Sequence, residues 1–172
     1  MKILLKVVGA VALCVVLALM VLSITGLDAK QRRAGLWLKG DVQSFPVDWT
    51  FADKYQTIMI ETHPWYLIPH SVNIFFITSQ GNLYLHADYD PGGTFPSGKS
   101  WTAAVARDPN VRLKLGSQVF DGKARLVTDK AEADALFEVQ RKKYPKSPYS
   151  NYRRRGNVYF LRVLPPDEDK AS

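Results

Sequence analysis

The chain has 172 residues, 47% of them hydrophobic and 23% charged, with a formal net charge of +7; this balance excludes disordered and collagen-like chains and suits one domain with a buried core. Setting aside the first 27 residues, whose only charges are Lys2 and Lys6, leaves a 145-residue body with 21 basic and 16 acidic residues, too mild an excess to argue for nucleic acid. The single cysteine, Cys14, lies in the apolar start, so the body has no thiol for a disulfide, a zinc site or a nucleophile.

Residues 7–27 run for 21 positions without a charge, and at ~1.5 Å each they match a hydrocarbon core of roughly 30 Å. Residues 1–27 are therefore expected to be an uncleaved single-pass anchor, of bacterial inner-membrane type, with the lipid bilayer as partner. A cleaved signal peptide is the competing reading, but it needs a shorter apolar core and a small-x-small site, and Leu27-Asp28-Ala29 offers a large residue instead. Lys2 and Lys6 precede the run while Lys30, Arg32 and Arg33 follow it. The positive-inside rule slightly favours a cytoplasmic body, the short basic start equally suits an exported one, and both orientations stay open.

Residues 28–54 read as a juxtamembrane connector, polar at first and broken by Gly40 and Pro46; its Trp37 suits either headgroup contact or docking onto the body. Beyond it the hydrophobic period becomes two. Strands are expected at 55–62, 70–78 and 82–88, the last two joined through Gln80-Gly81. A short helix over 100–107 stops before Asp108-Pro109-Asn110, and a second hairpin at 111–115 and 118–127 turns at Gly116-Ser117. Asp129-Lys130-Ala131-Glu132 is a capping box opening a helix to Lys143, with Ala133, Leu136, Phe137 and Gln140 on its inner face and Pro145 ending it. A final strand at 157–164 precedes a charged tail at 165–172. Hairpins without regular βαβ alternation predict a mainly β fold with two helices, a small barrel of about six antiparallel strands over 55–164 behind the transmembrane helix.

The loop Gly93-Thr94-Phe95-Pro96-Ser97-Gly98-Lys99-Ser100 matches G-x-x-x-x-G-K-[ST]. A P-loop nucleotide binder is one reading, although hairpins flank the loop and no apolar strand ending in Asp follows to hold magnesium. The chemistry holds without that name: Gly92, Gly93 and Gly98 allow close approach, Lys99 supplies charge, and Ser97 and Ser100 supply donors where a helix opens into Trp101. A phosphate-bearing ligand suits this set; a plain solvated loop is the alternative.

The first hairpin sorts its residues into two faces. Val72, Ile74, Phe76, Leu83, Leu85 and Ala87 form the core face. Ser71, Asn73, Phe75 and Ile77 lie beside Tyr84, His86 and Asp88, a polar row running into the lysine loop that suits a cofactor with a phosphate tail or a solvated outer face. His63, His70 and His86 have no partners at metal-ligand spacing and no G-x-S-x-G elbow is present, so neither a metal site nor a catalytic residue is assigned. Seven basic residues between Arg141 and Arg155, interleaved with Tyr144, Tyr149 and Tyr152, suit anionic headgroups, the steering of an anionic ligand, or plain solvation.

In HSVNIFFITSQGNLYLHAD (70–88), GKSWTAAVARDPNVRLKLGSQVFDGKARLVTD (98–129) and the helix end RKKYP (141–145) the sequence resembles the split-barrel flavin-binding proteins, pyridoxamine-phosphate-oxidase-like and deazaflavin-dependent nitroreductase-like members among them. The stretch x-Asp-Pro-x-Val-x-Leu at 107–113 is its most specific part. The resemblance implies a split β-barrel, FMN or a deazaflavin as a phosphorylated cofactor, and a homodimer with the cofactor between subunits. It also implies that Lys99 and Ser100, with Ser97 nearby, hold the phosphate, and that Ser71 and Asn73, next to His70, line the ring system. The sequence departs from the pattern at 61–69, where Glu-Thr-His-Pro-Trp-Tyr-Leu-Ile-Pro replaces a Gly-rich basic turn. The candidate cofactor-binding set is Ser71, Asn73, His86, Asp88, Ser97, Lys99, Ser100 and Trp101. The resulting reading is a membrane-anchored flavin- or deazaflavin-binding oxidoreductase; its rival is a non-catalytic module of the same fold that binds a cofactor or haem, or serves as a membrane-surface partner.

Overall fold

The structure, a computed structural model, describes residues 2–30, 33–66, 68–88, 93–145 and 158–168. Helix α1 (Lys2–Thr25) buries none of its residues and is long and apolar enough to cross a membrane. Gly26, at φ +75°, turns the chain back toward the body. There residues 27–37 form a narrow return: Leu27 N–H donates to the Trp37 carbonyl at 3.1 Å, Leu36 N–H to the Leu27 carbonyl at 2.7 Å, and Lys30 pairs with Arg33 at the tip.

Seven strands follow, β1 (Asp41–Gln43), β2 (Thr57–Thr62), β3 (His70–Ser79), β4 (Asn82–Asp88), β5 (Asn110–Leu115), β6 (Gln118–Leu126) and β7 (Val158–Leu164), with helices α2 (Ser100–Arg107) and α3 (Lys130–Lys143). β2 to β7 form a closed antiparallel barrel in the order β6-β5-β2-β3-β4-β7, with β7 returning to β6. The barrel of six antiparallel strands expected from the alternation is therefore present, in the split-barrel form that the resemblance implies. β1, which the sequence pattern did not reveal, adds to β6 in parallel.

Alternation fills the barrel. Ile58 and Ile60 of β2, Leu83 and Leu85 of β4, Leu113 and Leu115 of β5, and Leu161 and Val163 of β7 all point inward. Each such side chain contributes roughly 1.5–3 kcal/mol through burial. Trp49 joins the same core, meeting Phe45 and Phe120 edge-on and stacking on Phe51 of the 3-10 turn Thr50–Lys54, while α2 inserts Trp101 and Val105. Residues 28–54 are part of this packing: Ala29, Leu38 and Ala52 are buried, Leu38 N–H donates to Glu61 Oε2 at 2.5 Å, and Lys114 pairs with Asp28 at 2.6 Å. Burial pushes the Glu61 carboxyl up, opposed by the Leu38 N–H and by Arg112.

Helix α3 covers the outer face of the sheet, with Leu136 and Phe137 against Ile77, Tyr84 and Phe160. Asp129 caps it, accepting from Ala131 N–H at 3.3 Å and Glu132 N–H at 3.0 Å. The other half of the expected capping box is diverted, because Glu132 Oε1 instead accepts from Tyr84 Oη at 2.9 Å and from Arg162 at 2.5 Å, binding α3 to β4 and β7. At the far end of α3 the Tyr144 hydroxyl reaches the Phe76 carbonyl at 2.6 Å and the Gln56 carbonyl at 2.8 Å, and burial pushes its pKa up to about 12. The basic and aromatic stretch that continues from α3 lies outside the described residues from position 146 onward.

Candidate functional site

The site arises where two strands part. Gln80 and Gly81, both at positive φ, make the tight turn that starts the β3–β4 hairpin. Pairing then runs from Ser79 with Asn82 up to Phe76 with Leu85, and stops there. Past that point β3 stays with β2, through Phe75 opposite Thr57 to His70 opposite Thr62, whereas β4 follows β7, through His86 opposite Phe160 to Asp88 opposite Val158. The gap becomes a cleft of about 470 Å³ lined by Val72, Asn73, Ile74 and Phe75 on one side and His86, Ala87 and Asp88 on the other. Gly98, Lys99, Ser100 and Trp101 complete the lining together with Arg33 and Ala34. These last two are present because the return after α1 occupies the edge that β4 leaves: Gly35 and Ser71 exchange backbone bonds at 2.8 and 3.1 Å. A Cβ at Gly35 would strike the Leu27 carbonyl and Ser71 Oγ, so glycine is required for that close approach.

Positive charge and donors collect at the cleft. Lys99 Nζ lies 3.5 Å from Asp88 Oδ2 with its side chain about half exposed. Lys99 is also the residue before α2, in extended backbone, and it gives no side-chain cap. Lys99 and the Ser100 hydroxyl thus share one lining at the start of α2, whose first-turn N–H groups receive no side-chain cap, a donor set that suits an anionic group such as phosphate. Arg33, an exposed residue, adds a guanidinium to the same lining.

The inner wall is apolar and neutral. His86 is buried, stacks on Phe75 at 5.7 Å with its ring within 5° of parallel, and lies 3.4 Å from Gln140 Nε2. Burial pulls its pKa down to about 4, only partly opposed by the Asp88 charge, so the ring is uncharged near neutrality.

Of the eight residues singled out in the sequence, Asn73, His86, Asp88, Lys99, Ser100 and Trp101 meet in this cleft. Ser71 does not line it: the residue is fully buried and its backbone is bonded to Gly35. Ser97 does not line it either, since its hydroxyl turns back to the Thr94 carbonyl at 2.5 Å. Nor does the polar row form one continuous outer face, because β3 and β4 separate at Phe76 and α3 covers Ile77, Tyr84 and His86. Arg33 and Ala34 line the cleft without a sequence signal that assigns them to it. The basic cluster at 30–33 was visible in the sequence, but its return onto β3 depends on the tertiary contact at Gly35.

The loop at 93–100 is not a P-loop. It enters an eight-residue helix beside an antiparallel sheet, and the Pro96 and Lys99 carbonyls accept from Thr102 Oγ1 at 2.8 and 2.6 Å. A second cavity of about 390 Å³ shares Ala34, Val72, Ser100 and Trp101 with the first and is walled by Trp65, Tyr66, His70 and Arg107. In it Tyr66 Oη and His70 Nε2 lie 2.8 Å apart.

A family model described as F420H(2)-dependent quinone reductase matches residues 74–163, which is half of the chain and contains β4, the lysine loop and α2. Among solved structures, a domain-swapped dimer is similar at 20% identity over 63% of this chain and 79% of that one, with a TM-score of 0.50. A candidate pyridoxamine 5'-phosphate oxidase from Listeria innocua matches at 16% identity over 67% and 89%, with a TM-score of 0.49. An F420-H2 dependent reductase matches at 20% identity over 62% and 93%, with a TM-score of 0.46. No curated protein matches the sequence.

Proposed function

The chain belongs to the F420H(2)-dependent quinone reductase family, and from that premise we propose that it is a membrane-anchored oxidoreductase that binds a deazaflavin in the cleft between β3 and β4. The observation that carries this reading is the meeting of Lys99, Ser100 and the uncapped start of α2 in a cleft whose walls are Val72, Ile74, Ala87 and Trp101. The residues present fit such a group, an anionic tail at Lys99 and a flat ring system against apolar walls. The family favours a deazaflavin over FMN.

In this reading Lys99 and Ser100 bind the phosphate, Asp88 fixes the lysine head, and Arg33 attracts further negative charge. Asn73, at the strand edge, orients the ring system, and His86, held neutral, keeps the wall uncharged. Trp101 and Val72 exclude water on the side of the second cavity, where an acceptor of quinone type would bind. A reduced deazaflavin, when bound, supplies hydride-donating chemistry. α1 holds the body at the bilayer, and a second copy of the chain closing over the open side of the cleft completes the proposed assembly.

The test is turnover. Full-length protein in detergent is given reduced deazaflavin and a soluble naphthoquinone, and loss of reduced cofactor is followed by absorbance. Oxidation that depends on the protein, and falls in Lys99→Ala, is the expected result. Cofactor binding without turnover would favour the non-catalytic module, and neither binding nor turnover would overturn the proposal.

A further inference from the structure

We propose that Trp65 and Tyr66, in the loop between β2 and β3, form a second contact with the lipid surface, set beside the point where α1 leaves the body. This rests on the reading of α1 as a bilayer anchor. The loop reads His-Pro-Trp-Tyr-Leu-Ile-Pro, with no carboxylate and no lysine or arginine. Of the four tryptophans, Trp49 and Trp101 are buried and Trp37 is half-buried, whereas Trp65 is 80% exposed, with Tyr66 packed edge-on against it and itself 40% exposed. Leaving two aromatic rings in water is costly, and rings with a polar edge are the ones that reside at the headgroup level of a bilayer.

The position of the loop decides which partner it fits. Thr62 and His70 are register partners, so the loop springs from one end of the β2–β3 pair. Ser71, the next residue of β3, is bonded to Gly35, and Leu36 is bonded to Leu27, two residues past the end of α1. The base of the loop and the exit from the anchor are thus about two strand spacings apart, on the order of 10 Å. Lys30 and Arg33 are exposed at the tip of the intervening return, which suits anionic headgroups. Arg107 fixes the loop from behind by donating to the His63 carbonyl. The second cavity, walled by Trp65, Tyr66 and Ala34, then opens toward the headgroup region.

The test uses the full chain carrying Cys14→Ser and one new cysteine, at Trp65→Cys or Val47→Cys, labelled with an environment-sensitive dye in phosphatidylcholine–phosphatidylglycerol vesicles. Val47 is fully exposed and lies at the opposite end of β3, where Trp49 N–H meets the Gly81 carbonyl. The expected result is blue-shifted emission at position 65, with iodide quenching at least about threefold weaker than at position 47. Tyr66→Cys, which keeps Trp65, should repeat it. Equal quenching at both ends of the barrel in chains that float with the vesicles overturns the second contact and leaves the anchor standing; chains that do not float overturn the anchor and the contact together.

Discussion

At Lys99 the cleft balances its own charge, because Asp88 holds the ammonium at 3.5 Å and a bound phosphate must share it. Charge-assisted bonds of this kind contribute enough that Lys99→Ala should weaken deazaflavin binding about tenfold, or ~1.4 kcal/mol, with a shallower dependence on salt. His86 makes a second prediction. Its folded pKa of about 4 lies below the 6.5 of an exposed histidine, so as pH falls the unfolded chain takes up the proton first. Stability contributed by the neutral ring is full above about pH 6.5 and is lost as pH falls through the window down to about 4, by up to ~3 kcal/mol. Thermal melts of detergent-solubilised protein should show that decline, and His86→Leu should flatten it; an unchanged slope in the variant would place the burial elsewhere. Residue types are legible in the sequence here, since the chemistry of Lys99, Ser100, Asn73 and His86 marks them and all four line the cleft. Ser71 carries the same signal, but the Gly35 backbone occupies its edge and takes it out of the cleft.

Elements were legible where a local signal sets them. The period-two pattern, Gln80-Gly81 and Asp129 placed β2 to β7 and α3 to within a residue or two. The parting of β3 from β4 has no such signal, because it follows from β4 choosing β7 and from the return at 27–37 taking the vacated edge. Gly35 is the hinge of that arrangement. Gly35→Val should lift the return from β3, so limited proteolysis between residues 28 and 37 should accelerate and deazaflavin binding weaken several-fold, on the order of 1 kcal/mol. Unchanged cleavage would mean that the return is not held by this contact. On the other face, Tyr144 ties the end of α3 to the barrel through the Phe76 and Gln56 carbonyls. Tyr144→Phe leaves those carbonyls short of a donor and should cost about 1–3 kcal/mol, seen as a melting temperature lower by several degrees.

For the whole molecule, the segment that leaves the proposed membrane span is also a wall of the proposed cofactor cleft. In the sequence, composition changes sharply between the expected anchor, connector and barrel. The packing runs across those changes: Asp28 pairs with Lys114, Leu38 donates to Glu61, and Arg33 faces the cleft that contains Lys99. A cofactor bound there would sit near the membrane exit, which suits an acceptor that dissolves in lipid. In the proposed reading this cleft binds a deazaflavin through Lys99 and its neighbours. The most direct measurement is a fluorescence titration of the full-length protein in detergent with the oxidised deazaflavin, run beside Lys99→Ala. Saturable binding at one cofactor per chain, weakened about tenfold in the variant, is the expected result. Absence of saturable binding, or binding equally tight without Lys99, would contradict it.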